Sequence, residues 1–161
     1  MLLILPAILA VDVNLKPGKT HDCLSQESAE KVLGQHAVND GSTSTVKDGV
    51  KRYDCTFTAE AADPKNGRLG HLYYTLEEFS DVASAHNVYD NIVTGNARNP
   101  GHSLLRDTGD EAWYHSDGEN FSLIVMRKNK NLVRVKVNKL TSFTSQEALK
   151  ETMRQLADEL Q

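Results

Sequence analysis

The stretch STSTVKDGVKRYDCTFTAE, residues 42–60, holds two β-rich runs on either side of Asp48-Gly49. An Asp-Gly pair between such runs is the strongest short-range hairpin signal, because both central residues of a type I′ turn need positive φ. In the second run Tyr53, Cys55 and Phe57 fall on one face, and Arg52, Asp54 and Thr56 on the other, since strand side chains alternate. One apolar and one polar face predict a sheet with a covered side and a wetter side.

The same pattern continues downstream. Residues 62–67, ADPKNG, carry turn chemistry in Pro64 and Asn66-Gly67. RLGHLYYTLEEF, residues 68–79, reads as a long strand with Leu72, Tyr74 and Leu76 on one side and His71, Tyr73 and Thr75 on the other. SLLRD predicts a short strand and EAWYH another. Asp117-Gly118 turns the chain into NFSLIVMRK, and Asn129-Lys130 or Lys130-Asn131 turns it again into NLVRVKVNKL. There Val133, Val135 and Val137 alternate with Arg134, Lys136 and Asn138, leaving one wet face.

Three helices separate or flank these runs. In SQESAEKVLG, residues 25–34, Ser25 suits the N-cap, Glu27 the positive helix end and Gly34 the stop. Residues 81–95 place Val82, Ala85, Tyr89 and Ile92 at helical spacing behind Ser80 or Asp81 as cap, with Gly95 as a stop. TSQE, residues 144–147, predicts a capping box with Phe143 and Ala148 as a hydrophobic staple, followed by a stripe of Leu149, Met153, Leu156 and Leu160. The order is helix, strands, helix, strands, helix. Tight turns between strands give an α+β fold with a central, mostly antiparallel sheet of about five to seven strands. N-terminal, middle and C-terminal helices pack against it. Residues 23–161 read as one domain.

The chain has 161 residues and a net charge of −4. That balance speaks against nucleic acid as a partner. The basic cluster at 126–139 reads as the solvated face of a hairpin. MLLILPAILA is far too short to span a bilayer. It resembles the apolar region of a secretory signal peptide without its basic front, so residues 1–22 are expected to be a signal remnant and leader. The alternative is a buried strand at the domain edge. Cys23 and Cys55 are an even pair in an export-like chain, which favours a disulfide. Cys55 points to the core and Cys23 precedes the first helix, so a bridge would staple that helix to the sheet. Two free buried thiols are the other possibility.

Motifs for chemistry are sparse. S-x-x-K occurs at 28–31 and 44–47 without the motifs that accompany it in serine enzymes, and G-x-S-x-G, P-loop and G-x-G-x-x-G patterns are absent. The six histidines form no H-x-H, H-x-x-H or H-x-x-x-H pair. HDC at 21–23 could offer zinc two soft ligands, and DTGDE at 107–111 could offer calcium three carboxylates; neither has the full ligand spacing. No metal or cofactor is expected. Glu111, Trp113 and His115 share one strand face, and with His71 and Tyr73 they form the candidate ligand-binding set. Asp110, Glu111 and His115 would be the acid–base group of an enzyme if they converged.

The succession CLSQESAEKVLG, YDCTF, a strand and helix, GDEAW, a hairpin and a C-terminal helix resembles small exported bacterial proteins, the uncharacterised actinobacterial-type cell-envelope lipoproteins. It is also similar to the extracellular sensor domain of mycobacterial-type receptor serine/threonine kinases. The resemblance covers about residues 22–161. It implies an α+β domain with a central antiparallel sheet, an extracytoplasmic location, a Cys23–Cys55 disulfide, and Gly109, Asp110, Glu111 and Ala112 as a sheet-entry turn. It supplies no catalytic residues. The chain departs from the family in lacking a lipobox cysteine and a kinase part, so anchoring and signalling are not carried over.

The expected function is therefore that of an extracytoplasmic, non-catalytic, sensor-like binding domain, monomeric, for a small molecule or a cell-envelope protein. One alternative is a small hydrolase or metal-dependent enzyme using Asp110, Glu111 and His115. Another is a structural envelope protein or inhibitor acting through a flat surface.

Overall fold

The computed structural model describes residues 22–160. The signal-remnant expectation for the start of the chain, apart from Asp22, lies outside the described residues. The hairpin forms as the Asp-Gly pair dictates. Strand β1 (Ala37–Lys47) turns through Asp48 (φ 51°) and Gly49 (φ 79°) into β2 (Val50–Ala59), pairing Lys47 with Val50. β1 begins five residues before the STST run, because a bulge between Asn39 and Gly41 absorbs the turn-like Asn-Asp-Gly sequence. The Asn39 carboxamide oxygen accepts the Gly41 N–H at 2.9 Å.

β2 is followed by β3 (His71–Glu78), helix α2 (Val82–Asn96), β4 (His102–Leu104), β5 (Glu111–Ser116), β6 (Phe121–Lys128) and β7 (Asn131–Asn138). Helices α1 (Gln26–Leu33) and α3 (Gln146–Glu159) stand at the two ends. The sheet has seven strands in the order β1-β2-β3-β7-β6-β5-β4, every neighbour antiparallel. The chain makes a three-strand meander, crosses by α2 to the far edge, and returns strand by strand until β7 closes against β3. This is the expected α+β class.

One sheet face carries the main core. Cys55, Phe57, Tyr74 and Leu76 pack there with Val133 and Val135 beneath α1 and α3. The Cys23–Cys55 disulfide ties the entry of α1 to β2, with Cα atoms 5.7 Å apart. The caps behave as their chemistry dictates. Ser25 accepts the Ser28 N–H and Gly34 ends α1 at φ 70°. Asp81, not Ser80, caps α2. The N-cap of α3 sits one residue later than the TSQE reading: Ser145 accepts the Ala148 N–H at 3.1 Å. Thr144 is free to take the Thr141 N–H instead, Ala148 becomes the third helical residue, and Phe143 is 43% exposed and stands too early to staple the helix.

The second face is not uniformly wet, since the helices cover both faces of the sheet in part. α2 lies across part of it, and Phe79, Ala85, Tyr89, Trp113, Val125 and Leu132 form a second, smaller core there. The other part of that face remains open.

Candidate functional site

In an antiparallel sheet, directly paired residues point to the same face. The registers therefore build cross-strand rows on the face that α2 half covers. Tyr73 pairs with Lys136, Lys136 with Leu123, Leu123 with His115, and His115 with His102. The neighbouring row runs Thr58, His71, Asn138, Phe121. A third holds Asp54, Thr75, Arg134, Val125 and Trp113. His71, Tyr73, Glu111, Trp113 and His115 thus share one face, as strand parity expects.

α2 divides them. Tyr73 is 40% exposed on the open part. His71 and His115 are half-buried there, and His115 stands three strand spacings from Tyr73, roughly 14 Å. Trp113 is 1% exposed beneath α2. It cannot line a binding surface: the face that carries it has its own helical cover, which alternation within the strand cannot reveal.

The open part is chemically ordered. Thr58 donates its hydroxyl proton to the Asp40 carboxylate, and its oxygen lies 3.0 Å from His71 Nδ1. With the hydroxyl proton committed to Asp40, His71 donates from Nδ1 to the Thr58 oxygen. Lys136 Nζ sits 5.4 Å from the centroid of Phe121, a cation–π contact. His115 meets the Phe121 ring edge-on at 4.9 Å and the Trp113 ring at 5.1 Å. His115 Nε2 and His102 Nε2 lie 3.0 Å and 3.1 Å from the carbonyls of Pro100 and Ala97, so both imidazoles donate to the loop after α2. On the β2–β3 side, Arg52 forks onto Asp54, Asp54 also accepts the Thr75 hydroxyl, and Glu77 accepts from Arg134 at 2.8 Å. The Arg52 hydrogen bonds, helped by Thr75 and outweighing burial, hold the Asp54 carboxyl below its usual range. A groove of about 340 Å³ borders this network between the hairpin tip and α2, with Val50, Phe79 and Val88 among its lining residues.

Sequence reading missed Lys136 and Phe121 as site members, although VRVKVN had already placed Lys136 on the wet face. Their meeting with Tyr73 and His115 depends on β7 inserting beside β3, which no local signal announces.

Asp110, Glu111 and His115 do not converge. Glu111 and His115 are four residues apart on one strand, about 13 Å. The Glu111 carboxylate accepts from His86 at 2.9 Å and from Arg127 Nε at 2.6 Å, while Arg127 also donates to Asp110 at 2.8 Å. Asp110 further accepts the Asn129 N–H. The acids of DTGDE thus hold the start of β5 to the end of β6 and, through His86, to α2. Cys23 and Cys55 are bonded to each other and cannot serve as thiolate ligands. Among the described residues no group of three or more His, Cys, Asp or Glu side chains could hold a metal ion, and no helix is long and apolar enough to cross a membrane.

Arg127 is expected to matter for stability. Its side chain is 10% exposed, against 33% for Asp110 and 28% for Glu111. Burial alone would raise both carboxyls. The Arg127 and His86 contacts at Glu111, and the Asn129 N–H and Arg127 charge at Asp110, outweigh it and hold both below their usual range. Arg127→Met should cost about 2 kcal/mol, less than a fully buried pair because the acids are partly hydrated. Carboxyls lowered on folding contribute stability above their unfolded pKa values, about 4, and lose it as pH falls through the folded values. The variant should therefore show a shallower acid-side decline in urea-measured stability than the parent; parallel pH profiles would exclude this role.

The chain matches no family model, no curated protein and no solved structure.

Proposed function

We propose that this is a non-catalytic binding domain that works outside the cytoplasm, with the open part of the second sheet face as its contact surface. One observation carries the reading. The main core is covered by α1 and α3, yet no described helix covers the opposite face over the rows containing His71, Tyr73, Lys136 and Phe121. That area combines an exposed phenol ring, a phenyl ring under a cation, and an imidazole, set beside Thr56 and Thr58. Flat rings with adjacent polar groups suit a polar ligand that has an apolar side, such as a sugar chain, and a sheet holds them rigidly. The disulfide fits an oxidising compartment. A surface of this kind also suits the sensor-like cell-envelope role that the sequence motifs lead us to expect.

The test is titration of the labelled chain with soluble cell-wall glycan fragments, read by amide chemical shifts. Perturbations are expected on β3, β7 and the start of β6. Tyr73→Ala should weaken binding by about 1–2 kcal/mol, the scale of a lost aromatic contact, without changing the thermal midpoint appreciably. Perturbations elsewhere, or an affinity indifferent to Tyr73, would remove the assignment.

A further inference from the structure

A second cleft lies on the other side of α2, away from the open face. It has a volume of about 320 Å³ and is lined by Tyr89, Leu104, Leu105, Arg106, Asp110, Glu111 and Ala112. Three features set it apart from a surface dent. First, Tyr89 is only 6% exposed, and its hydroxyl is buried without a hydrogen-bond partner. A buried hydroxyl left unpaired is costly, and native structures rarely leave one so. Burial, and then the neighbouring Glu111 charge, push its phenol up to about 12, so it remains a neutral donor at any physiological pH. Second, the two acids of the wall are already occupied: Asp110 by Arg127, Lys128 and the Asn129 N–H, Glu111 by Arg127 and His86. Arg106 is exposed and makes no ion pair with any described residue. Among the described residues it is the one cation of the lining, and none of them neutralises it. Third, Leu104 is 72% exposed on the edge strand, pointing to the α2 side because it pairs with Trp113, while the half-buried Leu105 packs on the main core and lines the cleft at the sheet edge.

A cation at the rim that pairs with no described residue, a neutral donor buried just behind the wall and an apolar wall complement one chemical class. We propose that this cleft binds a small apolar carboxylate, with Arg106 pairing its charge, the Tyr89 hydroxyl donating to it, and Leu104 and Leu105 carrying its hydrocarbon body. A cationic ligand of the same shape would meet Arg106 as a like charge and find the wall carboxylates already paired. The cleft is at the lower end of ligand-site volumes, which limits the body to about the size of one ring or a short branched chain.

The experiment uses phenylacetate as the probe and phenethylamine as its cationic counterpart, titrated to millimolar concentration into the labelled full chain. Phenylacetate is expected to move the amide resonances of Leu105, Arg106 and Ala112 saturably, and phenethylamine to leave them in place. Arg106→Gln and Tyr89→Phe should each weaken phenylacetate on the order of tenfold, the scale of a lost charge-assisted hydrogen bond. Tyr89→Phe should do so without lowering the thermal midpoint, because it removes a hydroxyl that bonds to no described residue. The proposal is overturned if phenylacetate moves none of these resonances, if phenethylamine binds as tightly, or if either variant keeps the parental affinity.

Discussion

Gly34→Ala is expected to lower the stability of the domain by about 3–5 kcal/mol. Gly34 ends α1 at φ 70°, where an alanine pays roughly 1 kcal/mol of backbone strain. The larger part is contact. A Cβ built on Gly34 would stand 2.0 Å from the Phe143 carbonyl oxygen and 2.7 Å from its carbon. Backbone is not a flexible neighbour, so the segment before α3 must move by more than an ångström. Overpacking of that kind costs about 1–3 kcal/mol. The move also breaks the 2.9 Å hydrogen bond from the Ser145 N–H to the Val32 carbonyl, about 1 kcal/mol more. Ser145 is the cap of α3, so one added methyl disturbs the end of one helix and the start of another. Gly67 is the control: its φ is 68°, and nothing lies within 4 Å of a Cβ there. Gly67→Ala should cost only the backbone part, about 1 kcal/mol. Urea denaturation of the two variants separates strain from contact, and equal losses would show that the α1–α3 approach is not a constraint.

That approach also shows where local reading ends. Gly34 as a helix stop is legible from its place after VL, because helix ends favour glycine. Its closeness to Phe143 is not legible, because it follows from two helices lying together on one sheet face. The strands divide in the same way. Asp48-Gly49 specified its turn, and the alternation in residues 53–57, 72–76 and 133–137 identified the face of the main core correctly. Alternation says only which residues share a face. It does not say what covers that face. The polar face of β3 looks outward at Tyr73, while on β5 the same face sinks beneath α2 at Trp113. The hint was present in NFSLIVMRK, where Val125 and Met126 are both apolar although they point to opposite faces. Consecutive apolar residues mark a strand buried on both sides. β6 is such a strand, and its neighbour β5 inherits the second cover.

The candidate site was legible to the same depth. His71, Tyr73 and His115 do share the open face. Glu111 shares the face but is spent on Arg127 and His86. Six residues, DTGDEA, looked like a crowd of acids; Asp110 and Glu111 prove to be the ligands of one guanidinium. Sequence spacing could not show this, since Arg127 meets Glu111 only through the β5–β6 register. The cleft that Tyr89 and Arg106 share was invisible for a stronger reason. Tyr89 reads as an ordinary core position of an amphipathic helix, and only a structure shows that its hydroxyl finds no partner among the described residues.

Removing the disulfide by Cys23→Ala with Cys55→Ala is expected to lower stability by about 3–4 kcal/mol, through the unfolded state more than the folded one. The bridge spans 32 positions, and closing a loop of that size withdraws about that much chain entropy from the denatured ensemble. In the folded state α1 has other ties: Val32 and Leu33 are buried in the main core, and the Val32 carbonyl accepts from Ser145. The helix should therefore remain docked when the covalent tie is gone. Three consequences follow for urea unfolding of the parent and the double variant. The midpoint should fall, the denaturant slope should rise because the uncrosslinked chain exposes more surface, and the native amide spectrum should change only near residues 23 and 55. By heat, a loss of this size corresponds to roughly 10 °C for a chain of this length. If the slope is unchanged and the α1 resonances disappear, the bridge instead holds the helix in place and the entropic account is wrong. Either result bears on location. A domain that draws about a fifth or more of a typical 5–15 kcal/mol from one bridge is poorly suited to a compartment that keeps its cysteines reduced.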